Sequence, residues 1–199
     1  MLVVHPSVPV NNVRELVEYA RARPDTLLYG SGGIGSSGHL CTESFAARAG
    51  VKLRHVPYKG DGPARNDLLG GQINMMFTAP NVAVPAAKAG KLRALAVTSR
   101  ERVPAFADLP TIHESGFPDF EYLGWIVVFA PRGTPAAAMD RLSAAWAKAS
   151  AEGAPRQRLE GMGMRAPERL TTRAALQAFL DAENERTAKL VRELGIKPQ

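Results

Sequence analysis

Apolar positions along the chain change their period several times, and each change predicts a new element. Between residues 2 and 98, short apolar runs alternate with segments in which apolar residues recur at helical spacing. Such runs are typical of buried strands, and such spacing is typical of amphipathic helices. Helices that connect consecutive strands favour parallel pairing, so this region predicts an α/β fold with a parallel sheet and helices on its faces.

Capping residues place the ends of these elements. Asn12 with Glu15 three residues later forms a capping-box pattern, and the helix it opens should end before Pro24. The helix after the second strand should end at Gly50. Strands are predicted at residues 2–5, 27–29, 52–58, 73–77 and 92–98, and helices at 37–49, 63–69 and before Gly90.

The pattern differs after residue 100, where proline and glycine are frequent up to Phe120. Residues 122–130 are strongly apolar and predict a strand that contains Trp125. Helical spacing then predicts helices that begin at Pro135, at about Arg156 and at about Thr172. The C-terminal part of the chain is therefore expected to be mainly helical.

The stretch from Tyr29 to Leu40 is rich in glycine and serine and links a predicted strand to a predicted helix. Glycine lets the backbone bend freely and lets a ligand approach closely. The start of a helix offers unpaired N–H groups and about half a positive charge. This arrangement suits a carboxylate or phosphate, so we expect the loop to bind an anion.

Parallel strands end at the same edge of a sheet, where open α/β folds bind their ligands. The loops at that edge carry neutral donors and one lysine, with no base, nucleophile or metal cluster, so the predicted site binds and does not catalyse. Trp125 is mainly a core candidate but could also wall a ligand. The candidate ligand-binding residues are Ser31, Gly33, Gly35, Ser36, Ser37, His39, Tyr58, Lys59, Thr78, Asn81 and Trp125.

Composition and charge narrow the function classes. The net charge is +6, which mildly favours anionic ligands, but the basic residues are scattered and do not resemble a nucleic-acid surface. A single cysteine, Cys41, excludes an internal disulfide, and the histidines lack metal-ligand spacing, so no metal or cofactor is expected. No run reaches the length of a membrane span, and no signal peptide is visible.

Gly30, Gly32 and Gly35 also match the dinucleotide fingerprint, which keeps a nucleotide-binding enzyme open as an alternative. That fingerprint needs an acidic residue at the end of the next strand to hold the ribose. Residues 51–56 contain none. His39 and Cys41 are two positions apart and do not face each other on a helix, so a Cys/His pair is not supported.

An ordered series of motifs over nearly the whole chain resembles the Bug (TctC-like) family, the substrate-binding receptors of tripartite tricarboxylate transporters. Any one of these motifs is weak, but their order is specific. They are Tyr29-Gly-Ser-x-Gly-x-Gly-Ser-x-x-His39-Leu40, His55-Val-Pro-Tyr-Lys-Gly60, Leu68-Leu-Gly-Gly-Gln72, Ala89-Gly-Lys-Leu-Arg-Ala-Leu-Ala-Val-Thr-Ser99, Leu109-Pro-Thr111 and Phe129-Ala-Pro-x-Gly-Thr-Pro135.

The resemblance implies a type II-like periplasmic-binding-protein fold that closes two lobes on a small mono-, di- or tricarboxylic acid, held by amides, hydroxyls and waters. Residues 7–124 would form one complete parallel-sheet lobe. Residues 1–6 and 125–199 would supply the crossing strands, near Val3 and Val128, and the helical part of an incomplete second lobe. The resemblance further implies membrane components of the transporter as partners and a periplasmic location.

The chain departs from the family pattern at its beginning. Family members have about another hundred residues before the position of Leu2, which hold the export signal and the opening strands of the first lobe. Asn74 and Thr78 stand where aspartate is usual or frequent. We therefore expect reduced affinity and a possible homo-oligomer through the incomplete lobe, with a truncated, self-associating remnant as a further alternative.

Overall fold

The computed structural model describes residues 1–151, 153–164 and 172–196. The chain forms two compact units, one of residues 1–124 together with the chain from residue 186 onward, and one of residues 125–185. The described part of the first unit contains one mixed sheet. Its strands are β1 (Leu2–Val4), β2 (Leu28–Ser31), β3 (Arg54–Pro57), β4 (Met75–Phe77) and β5 (Arg93–Ala96).

Helices follow the strands in the predicted alternation. They are α1 (Val13–Ala22), α2 (Ser37–Ala49), α3 (Asp61–Leu69) and α4 (Pro80–Lys88), and a short 3-10 turn at Pro104–Phe106 follows β5. The capping prediction for α1 is confirmed, because Asn12 Oδ1 accepts the N–H of Glu15 at 2.9 Å. Helix α2 ends at Gly50, which has a left-handed φ of 61°.

The strand order is β3-β2-β4-β1-β5, and it corrects the prediction of an all-parallel sheet. Strands β2, β3 and β4 pair in parallel, but β1 lies between β4 and β5 and is antiparallel to both. Helices connect each strand from β2 to β5 to the next one in the chain, and such helical crossovers favour parallel strands. The prediction failed at β1 because three buried apolar residues in a row indicate burial on both faces but not strand direction.

Helices cover both faces of the sheet. One core cluster joins Leu2 and Val4 to the buried faces of α1 and α2, and it includes Leu16 and Phe45. The opposite cluster joins Val3 and Ile73 to the buried residues of α3 and α4. The first unit is therefore a three-layer α/β/α structure whose central strands are buried, which leaves the strand ends and their loops open to solvent.

The second unit is helical in its described part. It contains α5 (Ala136–Ala151), α6 (Gly153–Gly161) and the beginning of α7 (Arg173–Glu193), which ends in the first unit. Arg173 forms an ion pair with Asp140 of α5. No helix in the described ranges is both long and apolar enough to cross a lipid bilayer.

Residues 122–130 form neither a strand nor a helix, so the strand predicted there is wrong for this structure. Ile126, Val128 and Phe129 are 75%, 70% and 71% exposed. A strand needs a hydrogen-bonded neighbour, and within the described residues no strand pairs with this segment. The apolar pattern of this segment was correctly recognised, but the segment can form a strand only where a neighbouring strand pairs with it.

Candidate functional site

The glycine-rich loop lies at the carboxyl edge of the sheet, between β2 and α2. Strands β2, β3 and β4 run in the same direction, so their last residues, Ser31, Pro57 and Phe77, lie at one edge. A Cβ placed on Gly38 would lie 3.1 Å from the carbonyl oxygen of Phe77. The start of α2 therefore packs directly against the end of β4, which aims the loop along this edge.

Two glycines give the loop its path. Gly33 and Gly35 have φ angles of 127° and 77°, a region that residues with a Cβ rarely adopt. The N–H of Ser36 donates to the carbonyl oxygen of Gly33 at 3.1 Å and closes a tight turn. The loop can reach the first turn of α2 in this short distance only because these positions tolerate the left-handed region.

Three backbone N–H groups of the loop are available to a ligand. Within the described part of the chain, the N–H groups of Ile34, Ser37 and Gly38 donate to no protein atom. Two of them belong to the first turn of α2, where the aligned peptide dipoles place about half a positive charge. Ile34 and Ser37 are exposed. The loop thus presents unpaired backbone donors beside the N-terminus of α2, as an anion site requires.

The two serines at the start of α2 have different roles. Ser36 is the N-cap, and its Oγ accepts the N–H of His39 at 3.4 Å. Its hydroxyl proton is still free to donate to a ligand. Ser37 is exposed, and no hydrogen bond of its hydroxyl occurs among the described residues. Both hydroxyls can therefore donate to a ligand, and the ligand-binding roles of the two serines stay predictions.

Ser31 and His39 differ from their predicted role, because their side chains are buried at 0% and 6% exposure. Ser31 Oγ lies 2.7 Å from His55 Nε2 and accepts the N–H of Gly33 at 3.2 Å. His39 Nδ1 accepts the N–H of Gly35 at 3.1 Å. These groups hold the loop from behind and do not face solvent. The strand-to-helix pattern located both residues but not the direction of their side chains.

His55 contacts the candidate loop, although the sequence analysis did not select it as a site residue. Its ring stacks on His39 with centroids 4.2 Å apart and on Tyr29 at 4.6 Å. Burial, and then the neighbouring His39, lower the pKa of His55 to about 4. Burial also lowers the pKa of His39, against a smaller opposing effect of Glu43. Both rings are therefore neutral at pH 7, and the positive potential of the loop comes from its amides.

The turn after β3 contacts the loop through its backbone. The N–H of Tyr58 donates to Ser31 O, and the N–H of Gly60 donates to Gly32 O, both at 3.1 Å. The Tyr58 hydroxyl donates to Asp67 at 2.7 Å, and burial together with this bond raises the pKa of Tyr58 to about 12. Lys59 is exposed and supplies a positive charge to the same turn. Tyr58 thus braces the loop, while Lys59 is free to attract an anion.

Thr78 and Asn81 follow β4 at the same edge. The backbone of Thr78 is bonded to Met1 in both directions, and its side chain is half-buried. Asn81 lies exposed in the first turn of α4. Trp125 belongs to the second unit, where its Nε1–H donates to Glu183 at 3.2 Å and its ring meets Phe179 edge-on. The ligand-binding roles of these three residues stay predictions.

Asp61 is a second residue that the sequence analysis did not single out. It begins α3, and its Oδ1 would lie 2.6 Å from a Cβ placed on Gly32. The negative charge of Asp61 is stabilised by the N-terminus of α3, where it lies. Beside an anion-binding loop, however, the same charge disfavours a carboxylate ligand. The sequence Asp-Gly-Pro indicated only the start of a helix. The approach of Asp61 to Gly32 depends on how β2 and α3 pack in the fold.

Other features of the described residues are weaker candidates for a functional site than this loop. A shallow cavity of about 400 Å³ lies between α4, β5 and the 3-10 turn, and no loop residue lines it. No cluster of three metal-ligating side chains occurs in the ranges the structure describes. Cys41 is buried, and burial raises the pKa of its thiol to about 12, so it is not an activated nucleophile.

An open α/β sheet with an amide-lined loop at its strand ends is the architecture of periplasmic binding proteins, and solved structures support this class. The chain matches the structure of R. palustris Rpa4515 with adipate at a TM-score of 0.94 and 36% identity, covering 100% of this chain and 66% of the other. It matches the periplasmic binding protein BugD at 0.89 and 33%, again covering 100% and 66%.

The family model for tripartite tricarboxylate transporter family receptors, TctC, matches residues 1–196. The chain belongs to this family, which confirms the resemblance seen in its motifs. A protein of Pseudomonas sp. (strain P51), the UPF0065 protein in the tcbD-tcbE intergenic region, is 38% identical over 198 residues. That match covers 97% of this chain and 57% of the relative, so the chain spans less than two thirds of the length of these relatives.

Proposed function

We propose that this chain is part of a receptor that binds one carboxylate group of a small carboxylic acid at the loop before α2. The observation that carries the proposal is the set of N–H groups at Ile34, Ser37 and Gly38, which have no partner among the described residues and lie at or just before the positive end of α2. Ser36 and Ser37 add hydroxyl donors. These groups can satisfy both oxygens of a carboxylate without a charged clamp.

The similarity to a protein solved with adipate supports a carboxylate in preference to a phosphate. The loop also lacks the Gly-Lys-Ser/Thr ending of a nucleotide loop, and no acidic side chain stands at the end of β3 to hold a ribose, since the first one, Asp61, follows four residues later at the start of α3. No described group at the loop is an activated nucleophile or base, since His39 and His55 are occupied by internal contacts. The proposed activity is therefore binding and not catalysis.

The wider role follows from the family. We propose that the whole protein delivers its ligand to the membrane components of a tripartite tricarboxylate transporter and acts in the periplasm. We also propose that residues 7–124 form the complete lobe, and that residues 1–6 and 125–199 belong to a second lobe. Because closing two lobes normally encloses most of a small ligand, one lobe alone should bind with reduced affinity.

A calorimetric titration of the 199-residue chain with adipate, malate, acetate, NAD and ATP tests this proposal. Saturable binding of a carboxylate that is weakened in Ser37→Ala would support it. The control variant is Ser115→Ala, because the Ser115 hydroxyl bonds only locally to Thr111 O at 2.7 Å, outside the loop. Binding of NAD or ATP alone would support the nucleotide alternative and contradict the carboxylate site.

Exposed apolar side chains favour self-association as a second property. Ile126, Val128 and Phe129 lie within four consecutive positions of the second unit and are each at least 70% exposed. Exposed apolar patches of this kind mark association surfaces. Sedimentation velocity over a hundredfold range of concentration tests this proposal. A chain that stays monomeric throughout, or an oligomer unaffected by Phe129→Ser, would contradict it.

A further inference from the structure

Two histidines from different elements are stacked behind the anion loop. His39 comes from the first turn of α2 and His55 from β3, and their ring centroids lie 4.2 Å apart. Tyr29 of β2 extends the stack on the other side of His55. His39 is buried and His55 is half-buried, so the stack is placed to support the loop through internal contacts.

The hydrogen bond from the Gly35 N–H to the His39 ring determines which protonation state of His39 is compatible with this loop conformation. A backbone N–H can only donate, so Nδ1 of His39 must be unprotonated to accept it at 3.1 Å. The neutral ring then carries its proton on Nε2. An imidazolium would carry a proton on Nδ1 as well and would point it at the Gly35 N–H. Protonation of His39 and this loop conformation are therefore incompatible.

His55 makes the matching connection at the other glycine of the turn. Its Nε2 lies 2.7 Å from Ser31 Oγ, which contacts the N–H of Gly33 at 3.2 Å and the carbonyl oxygen of Gly33 at 3.1 Å. Gly33 and Gly35 are the two residues of the turn with positive φ. The stack thus holds the turn at both positions where its backbone is unusual.

The electrostatic surroundings oppose a charged histidine. His39 is buried and His55 is half-buried, and two imidazolium rings at this separation would repel each other. Glu43, one turn later on α2, favours protonation of His39, but its effect is smaller than that of burial, and it also accepts the hydroxyl of Tyr29. Within the described residues, Glu43 and Tyr29 are the other titratable groups that face the pair.

We propose that His39 is a positioning residue for the carboxylate site, whose neutral ring fixes the Gly33–Gly35 turn, so that ligand binding weakens when His39 is protonated. The inference rests on the proposed function, because it concerns the same loop. It adds that the loop has a built-in acid sensitivity that is separate from the titration of the ligand. His39 acts through the backbone of Gly35 and not by touching the ligand.

Three variants of the 199-residue chain test this role in adipate titrations between pH 7.5 and pH 4.5. His39→Asn places an amide oxygen near the position of Nδ1 and can accept the Gly35 N–H without titrating. His39→Leu removes the acceptor. His113→Asn is the matched control, because His113 Nδ1 likewise accepts a backbone N–H, from Asp119 at 2.9 Å, but outside the loop.

At pH 7.5 we expect His39→Leu to bind adipate about fivefold more weakly, as for the loss of one hydrogen bond, while His39→Asn and His113→Asn bind nearly normally. On acidification, the carboxyl groups of adipate titrate equally for every variant. The affinity ratio of wild type to His39→Asn should nevertheless fall by about fivefold, and the ratio of wild type to His113→Asn should stay constant. An unchanged ratio for His39→Asn at a pH where His39 is protonated would overturn the proposal.

Nuclear magnetic resonance of the ligand-free chain separates this inference from the proposed function. We expect the ring nitrogen shifts of His39 to show an unprotonated Nδ1, and the amide resonance of Gly35 to titrate with the same midpoint as that ring. If no carboxylate binds at pH 7.5, the proposed function fails, and the shared midpoint still supports the role of His39 in shaping the loop. A protonated Nδ1 at pH 7.5, or a Gly35 amide unresponsive to His39, would overturn that role.

Discussion

Substitution of Gly35 by alanine should separate loop shape from chain stability. Gly35 has a φ of 77°, and a Cβ placed there would meet no atom within 4 Å. The added methyl group therefore causes no steric clash, and its cost is conformational. A residue with a Cβ in the left-handed region costs about 1–2 kcal/mol, which should appear as a lower free energy of unfolding.

The same strain should weaken ligand binding. The backbone can relieve it by moving φ to a negative value, but this breaks the bond from the Gly35 N–H to His39 and turns the neighbouring N–H groups away. Loss of one hydrogen bond to a charged ligand corresponds to about a tenfold weaker affinity. We expect at least this loss for adipate in Gly35→Ala, measured by calorimetry beside urea unfolding.

Gly90 provides the matched control. It has a φ of 68°, and a Cβ there would also meet nothing within 4 Å. It follows the end of α4, a nine-residue helix about 13 Å long whose other end lies at the candidate site. Gly90→Ala should lower the free energy of unfolding by a similar amount and leave the affinity for adipate unchanged. Equal affinities of the two variants would refute the assignment of the site to the loop.

Four further substitutions and a change of pH test other parts of the candidate site. Ser36→Ala should lower the free energy of unfolding by about 1 kcal/mol because it removes the N-cap of α2, whereas Ser37→Ala should only weaken adipate binding, as urea unfolding and calorimetry of both variants would show. Asp61→Asn should bind adipate about two- to fivefold more tightly at low salt, since a repelling charge beside Gly32 is removed, and an unchanged or weaker affinity would place the ligand elsewhere. Because the pKa of His55 in the folded chain is lowered to about 4, the unfolded chain takes up a proton at this residue first as the pH falls below about 6.5. The free energy of unfolding should therefore decrease by about 1–2 kcal/mol between pH 6.5 and pH 4. Urea unfolding of His55→Asn should show a weaker dependence on pH.

Local features of the chain were predictable because they depend on neighbouring residues. The cap at Asn12 and the stop at Gly50 require only a side chain or a glycine at one position, and both were correctly placed. The helix at 37–49 and the loop before it followed from the change of pattern after Tyr29. Family membership was also accessible, because ordered motifs identify a family without a structure.

The direction of each strand and the strand with which it pairs were not predictable from the sequence. Leu2–Val4 is apolar enough to be buried, but its antiparallel direction depends on β4 and β5, which lie about 70 to 90 residues later in the chain. Residues 122–130 have the pattern of a strand, but none of the strands in the described residues pairs with them. A pattern reports burial and periodicity, whereas pairing is a property of two segments.

The site shows the same division. Its position at the strand ends and its glycines were evident from the sequence, since a strand, a turn and a helix in succession place the loop at the edge of the sheet. The burial of Ser31 and His39, the contribution of His55 and the approach of Asp61 to Gly32 were not. These contacts join β2, β3, α2 and α3, and side chains on different elements meet only when the sheet is assembled.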